Sequence, residues 1–179
     1  MKSKETYIAF LRGINVGGHH KVPMADLRNE MAKLGFGNIE TILNSGNVIF
    51  DTDQDQLEEK ITDCLGKAFG FPIPTVIIEF GTISELLNNN PFKDLKITKD
   101  IRLYVSFLYK DHDAKLKLPW RSLDDSFEII EKRDKTIFSV LDLSVSKTPK
   151  AMEALEKYYG RDMTTRNWKT IERIGKKLT

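Results

Sequence analysis

Several things are scarce in this chain of 179 residues, and each absence excludes a class. No apolar run approaches the ~20 residues that span a bilayer, so no membrane partner is expected. The start, Met-Lys-Ser-Lys-Glu-Thr, leads into only five apolar residues with no small-residue cleavage pattern, so no signal peptide is expected either. A single cysteine, Cys64, leaves no internal disulfide framework and makes a cytosolic setting the simplest reading. Cys64 falls in the helical pattern Leu57, Ile61, Cys64, Leu65, Ala68 and reads as core. Three scattered histidines and one cysteine make no zinc signature. Charge is scarce only as an excess: the net charge is +2 and the pI about 8.5, too mild to imply nucleic acid by itself.

What is present fits a globular chain, with 40% hydrophobic and 30% charged residues. The continuous run Tyr7–Leu11 reads as a strand buried on both faces. Pro23 suits a first helical turn, and Met24, Leu27, Met31 and Leu34 then mark one helix face that Gly35 and Gly37 end. Asn38–Leu43 and Val48–Phe50 flank Asn44-Ser45-Gly46-Asn47 as a hairpin with a glycine where positive φ is tolerated. A helix over Gln56–Phe69, capped by Asp53 or Asp55, is broken by Pro72 and Pro74, and Thr75–Phe80 is a further strand. This order, β-α-β-β-α-β, is the split βαβ or ferredoxin-like arrangement. A short helix over Ser84–Asn90 and a polar linker over Phe92–Asp100 follow.

The order then nearly recurs. Ile101–Tyr109 is a strand, Asp113–Leu123 is a poor helix interrupted by Pro119, and Phe127–Lys132 with Thr136–Leu143 forms a hairpin. Pro149–Tyr159 is a helix capped by Ser146 or Thr148. The expected fold is α+β, with two ferredoxin-like subdomains at 1–80 and 101–179 joined through 81–100. The second is expected to lack its last strand and to end in a basic amphipathic helix.

Chain direction brings two polar loops together in such a fold. The hairpin turn after the second strand lies at the end where the first strand exits, so Ser45-Gly46-Asn47 is expected beside Arg12–Gly18. The gathered residues suit an anion. Gly17, Gly18 and Gly46 let backbone approach closely, Arg12 and Lys21 bring charge, and Asn15, Asn44, Ser45 and Asn47 bring hydrogen bonds. The helix opening at Pro23 supplies N–H groups and the positive dipole end; Val22 cannot cap it, although Asp26 in the first turn competes for the dipole. Each loop has a plainer reading, as a tight connection and as a hairpin turn. Neither Gly-x-Gly-x-x-Gly nor a Gly-Lys-Ser/Thr phosphate loop occurs.

The last helix is expected over Thr165–Lys177, with Thr164 or Thr165 as N-cap. Trp168, Ile171, Ile174 and Leu178 fall on one side; Arg166, Lys169, Arg173, Lys176 and Lys177 fall on the other. From Lys157 onward the bases outnumber the acids Asp162 and Glu172, so this end is locally basic. Its basic side is either solvated or open to phosphates. Trp168 reads as a core anchor, and Thr165 and Arg166 at the helix mouth are candidates to join the site.

The stretches Phe-Leu-Arg-Gly-Ile-Asn-Val-Gly-Gly (10–18), Lys-Val-Pro-Met-Ala-Asp-Leu (21–27), Ser-Gly-Asn-Val-Ile-Phe (45–50) and Thr-Thr-Arg-Asn-Trp (164–168) resemble a bacterial family, domain of unknown function 1697. The resemblance spans nearly the whole chain. It implies two α/β-plait subdomains and no established activity, so it carries over no catalytic residues. Asn44 departs from it, a Gln being usual there, and His19-His20 sits at positions that vary.

Other chemistry fails on spacing. His19 and His20, adjacent in an extended loop, point to opposite sides and cannot easily share a metal. Asp51, Asp53 and Asp55 mimic a calcium loop, but Gln56 and Thr62 stand where Gly and Glu are needed. Ser45 lacks the Gly-x-Ser-x-Gly elbow, and no acid pair stands out. No cofactor is expected. The reading that remains is a binding module whose candidate partners are nucleic acid or a phosphorylated small molecule. The alternatives are an enzyme acting on a small phosphorylated substrate, with Arg12 and Arg166 as clamps, and a structural or interaction domain. A monomer is assumed.

Overall fold

The computed structural model describes residues Lys2–Thr179 and shows a mixed α+β chain with two antiparallel sheets and five helices. Two compact units divide it: one runs up to Glu85 and includes Ile174–Thr179, the other is Leu86–Arg173. Among the described residues no helix is long and apolar enough to cross a membrane.

The first unit runs β1 Glu5–Leu11, α1 Met24–Lys33, β2 Gly37–Ile42, β3 Asn47–Thr52, α2 Leu57–Phe69 and β4 Thr75–Glu79, after which α3 Phe80–Asn88 begins. Its four strands lie in the order β2-β3-β1-β4, with β1 antiparallel to both neighbours. Ile8, Ala9, Phe10 and Leu11 are all buried, so the apolar run of β1 is covered on both faces. Ala9, Leu11, Val48 and Phe50 share one face and pack with Leu27 and Met31 of α1 and Ile61 and Leu65 of α2. Burial of each of the larger side chains among them is worth about 1.5–3 kcal/mol. The stripe that defines α1 is the stripe that packs: Leu27 and Met31 are buried, with Met24 and Leu34 partly so. Gly35, at φ +83°, ends the helix, and Gln54 donates from Nε2 to the terminal carbonyl of Leu34 at 2.8 Å.

The expected cap of α2 is not formed. Gln56 occupies the N-cap position with left-handed φ 56°, and no side chain caps the helix. Asp55 instead pairs with Lys2. Cys64 is only half-buried, its Sγ 3.8 Å from the Glu30 carbonyl, and burial raises the thiol pKa.

The second unit contains β5 Ile101–Leu108, β6 Trp120–Arg121, β7 Phe127–Arg133, β8 Thr136–Asp142, α4 Thr148–Tyr159, β9 Met163–Asn167 and the start of α5 Trp168–Lys177. The sheet order is β6-β7-β8-β5-β9. Tyr104, Leu108, Ile129, Ile137 and Leu141 pack with Ala151, Leu155 and Tyr159 of α4, and Ala114, Leu116 and Leu118 lie partly buried against the same cluster. The segment after β5 thus crosses the core as an extended strap that holds only the short β6, not a helix. No side chain caps α4. Thr148 is inside the helix, and its Oγ1 lies 2.9 Å from the Tyr104 hydroxyl.

Two expectations about the end of the chain are corrected. The second sheet does not lack its last strand: β9 pairs antiparallel with β5 from Tyr104↔Asn167 to Leu108↔Met163. Thr164, Thr165 and Arg166 therefore belong to a strand and do not open the helix. β-Branched threonines suit a ladder, and the pairing with β5 decides their conformation over the helical spacing. The helix starts at Trp168, with Asn167 Oδ1 accepting the Lys169 N–H at 3.0 Å.

Candidate functional site

The loop leaving β1 folds into a miniature hairpin. Val16 and His19 form an isolated antiparallel bridge, and the His19 N–H donates to Val16 O at 3.1 Å. Gly17 and Gly18, at φ +59° and +77°, are the two central residues of that turn, a backbone that L side chains rarely adopt. Asn15, itself left-handed at φ 55°, receives the returning chain: its N–H donates to His20 O at 3.0 Å. The His20 ring stacks on Phe71 at 4.3 Å.

Asn15 then joins three segments. Its Oδ1 accepts the Val22 N–H at 2.8 Å, and its Nδ2 donates to Val22 O at 3.0 Å and to Asn44 O at 2.8 Å. Nearby, Leu11 donates its N–H to Gly46 O at 2.8 Å. A Cβ on Gly46 would lie 2.7 Å from Leu11 Cβ and 2.8 Å from Ile14 Cδ1. The two glycine-bearing loops therefore touch.

Around their junction lies a groove of about 370 Å³ lined by Asn15, Gly18, Lys21, Val22, Pro23, Met24 and Asn44. It lies at the start of α1, where Pro23 holds the N-cap position in extended conformation and no side chain caps the helix. The first intrahelical bond runs from the Leu27 N–H to Pro23 O, so the amides of Met24, Ala25 and Asp26 precede it. Among the described residues no carboxylate lines the groove, although the exposed Asp26 stands in the first turn.

Of the residues expected here, Asn15, Gly18, Lys21 and Asn44 line the groove and Gly17 shapes the adjoining turn. Arg12, Ser45, Gly46 and Asn47 do not line it. Arg12 is half-buried and donates its backbone N–H to Pro74 O at 2.9 Å. Asn47 is wholly buried, and its Nδ2 donates to Ile42 O at 2.8 Å and Ser45 Oγ at 3.0 Å, which closes the hairpin. Val22, Pro23 and Met24 were not among the expected lining residues; the Pro at the helix start was their only signal.

Thr165 and Arg166 lie on β9 in the second unit. Thr165 Oγ1 is 2.7 Å from Ser106 Oγ. Arg166 is buried, unlike the exposed Lys169, Arg173, Lys176 and Lys177 with which the helical spacing grouped it. Its Nη1 donates to Thr164 Oγ1 at 2.8 Å and Thr165 O at 3.1 Å, and burial lowers its pKa to about 10. Lys177 pairs with Glu40. Trp168 is a core residue, 5.2 Å edge-on to Phe92. Among the described residues, no cluster of His, Cys, Asp and Glu is placed to hold a metal ion.

A family model described as "Protein of unknown function (DUF1697)" matches residues 4–138. A solved structure, that of the conserved bacterial protein SP0830 from Streptococcus pneumoniae, is similar with a TM-score of 0.78 and 26% identity, over 98% of this chain and 99% of that one. No curated protein matches.

Proposed function

This chain belongs to the DUF1697 family, whose description assigns no function, and we propose that it is a binding module for an anionic ligand held at the start of α1. The observation that carries this reading is the uncapped helix start on a groove that contains Lys21 and no carboxylate. Amides and dipole there favour negative charge by about 0.3–1 kcal/mol, and Lys21 adds a point charge. A single cation matches one phosphate better than the several phosphates of a nucleic-acid backbone, so the preferred ligand is a phosphorylated small molecule. The exposed Lys169, Arg173 and Lys176 keep nucleic acid as the competing outcome.

An interaction or structural role is the second reading. Asn15, Asn47, Gly17, Gly18 and Gly46 each have an architectural task that explains them without a ligand. An enzyme has less support, because among the described residues Lys21 is the only titratable side chain lining the groove. The strand order of the first unit, and the matching order β7-β8-β5-β9 in the second, support a reading of two ferredoxin-like plaits in which the strap replaces one helix. A cytoplasmic setting fits the lone cysteine.

Fluorescence titration with nucleotides and short labelled RNA and DNA at two salt concentrations tests the proposal. Nucleotide binding that weakens about fivefold in Lys21→Ala, the equivalent of about 1 kcal/mol, supports it. A steep salt dependence with RNA or DNA replaces the small molecule with nucleic acid. No binding of either kind leaves the interaction role.

A further inference from the structure

The second unit carries a cavity unrelated to the α1 groove. β5 pairs with β8 from Ile101 onward but with β9 only from Tyr104 onward. Where β9 turns into α5, β5 continues with β8 on one edge only, and a pocket of about 550 Å³ occupies the fork. Ile97, Ile101, Leu103 and Trp168 form its apolar wall; Lys99, Arg102, Lys169 and Glu172 contribute charge. Its volume falls in the usual range for small-molecule sites, about 300–1,000 Å³.

The wall is fixed in place before any ligand arrives. The Ile101 N–H donates to Thr98 O at 3.2 Å, and the Leu143 N–H donates to Asp100 O at 2.9 Å, so the 98–100 turn is pinned to the start of β5 and to the residue after β8. Arg102 folds back on this turn, its Nη1 donating to Lys99 O at 2.7 Å and Ile101 O at 3.1 Å. Arg102 is half-buried as a residue and has no carboxylate partner among the described residues; nor have Lys99 and Lys169. Three cations thus face one acid, Glu172, beside an apolar wall. Ile97, half exposed at 50%, leaves apolar surface open at the mouth.

We propose that this fork is a binding site for a small amphipathic carboxylate, with the acid on Arg102 and the apolar body against Ile101, Leu103 and Trp168. The planar fork of Arg102 matches a carboxylate, while the apolar wall disfavours a compact, strongly hydrated anion. Lys99 and Lys169 raise the local anion concentration, and Glu172 opposes it.

Trp168 lines the pocket, and Trp120 is the only other tryptophan, so the Trp120→Phe protein carries a reporter at the site. Its emission is followed with octanoate, octan-1-ol and octylamine, all below their aggregation limits. The expected result is a saturable change with octanoate, weaker binding of the alcohol and none of the amine. Arg102→Gln weakens octanoate about tenfold, the equivalent of about 1.4 kcal/mol, and Glu172→Gln strengthens it. Should Arg102→Gln fail to fold, the double variant Lys99→Gln/Lys169→Gln, at two exposed positions, weakens binding in its place. No saturable octanoate response overturns the proposal, as does equal affinity for octylamine or indifference to the cation substitutions.

Discussion

Gly46→Ala places a methyl group where the two loops of the first unit meet. Two separate penalties follow from the geometry. Gly46 sits at φ +82°, and a non-glycine residue in the left-handed region costs about 1–2 kcal/mol. The new Cβ also falls 2.7 Å from Leu11 Cβ and 2.8 Å from Ile14 Cδ1. The Ile14 methyl is the end of a flexible chain and can move. Leu11 Cβ is fixed by β1, so the turn itself must shift, and overpacking of this kind costs about 1–3 kcal/mol. The expected total is about 2–5 kcal/mol. Gly18→Ala separates the two effects, since Gly18 has φ +77° and nothing within 4 Å of its Cβ; it loses only the conformational part. Gly81→Ala, in α3 with open space around it, is neutral or slightly stabilising. Urea unfolding followed by circular dichroism ranks the three proteins. If Gly46→Ala is no worse than Gly18→Ala, the loops do not touch and the geometry of the groove is wrong.

Two further predictions concern β9 and acid stability. Thr164→Pro is tolerated if residue 164 caps a helix, but in the ladder opposite Phe107 it disrupts β9 and costs about 2–3 kcal/mol, measurable as a lower urea midpoint. Asp124 accepts hydrogen bonds from Ser122, Ser126 and Lys150, in that order of effect, and these lower its pKa. Its contribution is present above the unfolded carboxylate pKa and is lost as pH falls through the lower folded value. The Asp124→Asn protein therefore shows a smaller loss of thermal stability than the parent on acidification below pH 4.

How much of this was legible depends on the range of the interaction involved. The β1 run, the α1 stripe and the hairpin around Gly46 are written in neighbouring residues, and each forms where its pattern stands. The meeting of the loops was also legible, because the strand directions of a β-α-β-β unit fix which ends are shared. Residues 163–167 were not. Their helical spacing continues smoothly into Trp168, and only pairing with β5, some 60 residues earlier, makes them a strand. Asp55 likewise is drawn from a capping role by Lys2, at the other end of the unit's sequence. Asn15, polar and beside glycines, reads in the sequence as a ligand-binding residue. Its amide is also committed to Val22 and Asn44, a role set by where two other segments return.

An anion held at the open end of α1 would register in the amide chemical shifts of the labelled protein titrated with inorganic phosphate. Saturable shifts are expected at Gly18, Met24, Ala25 and Asp26, reduced in Lys21→Ala. Shifts confined to the second unit, or none at these four amides, contradict it.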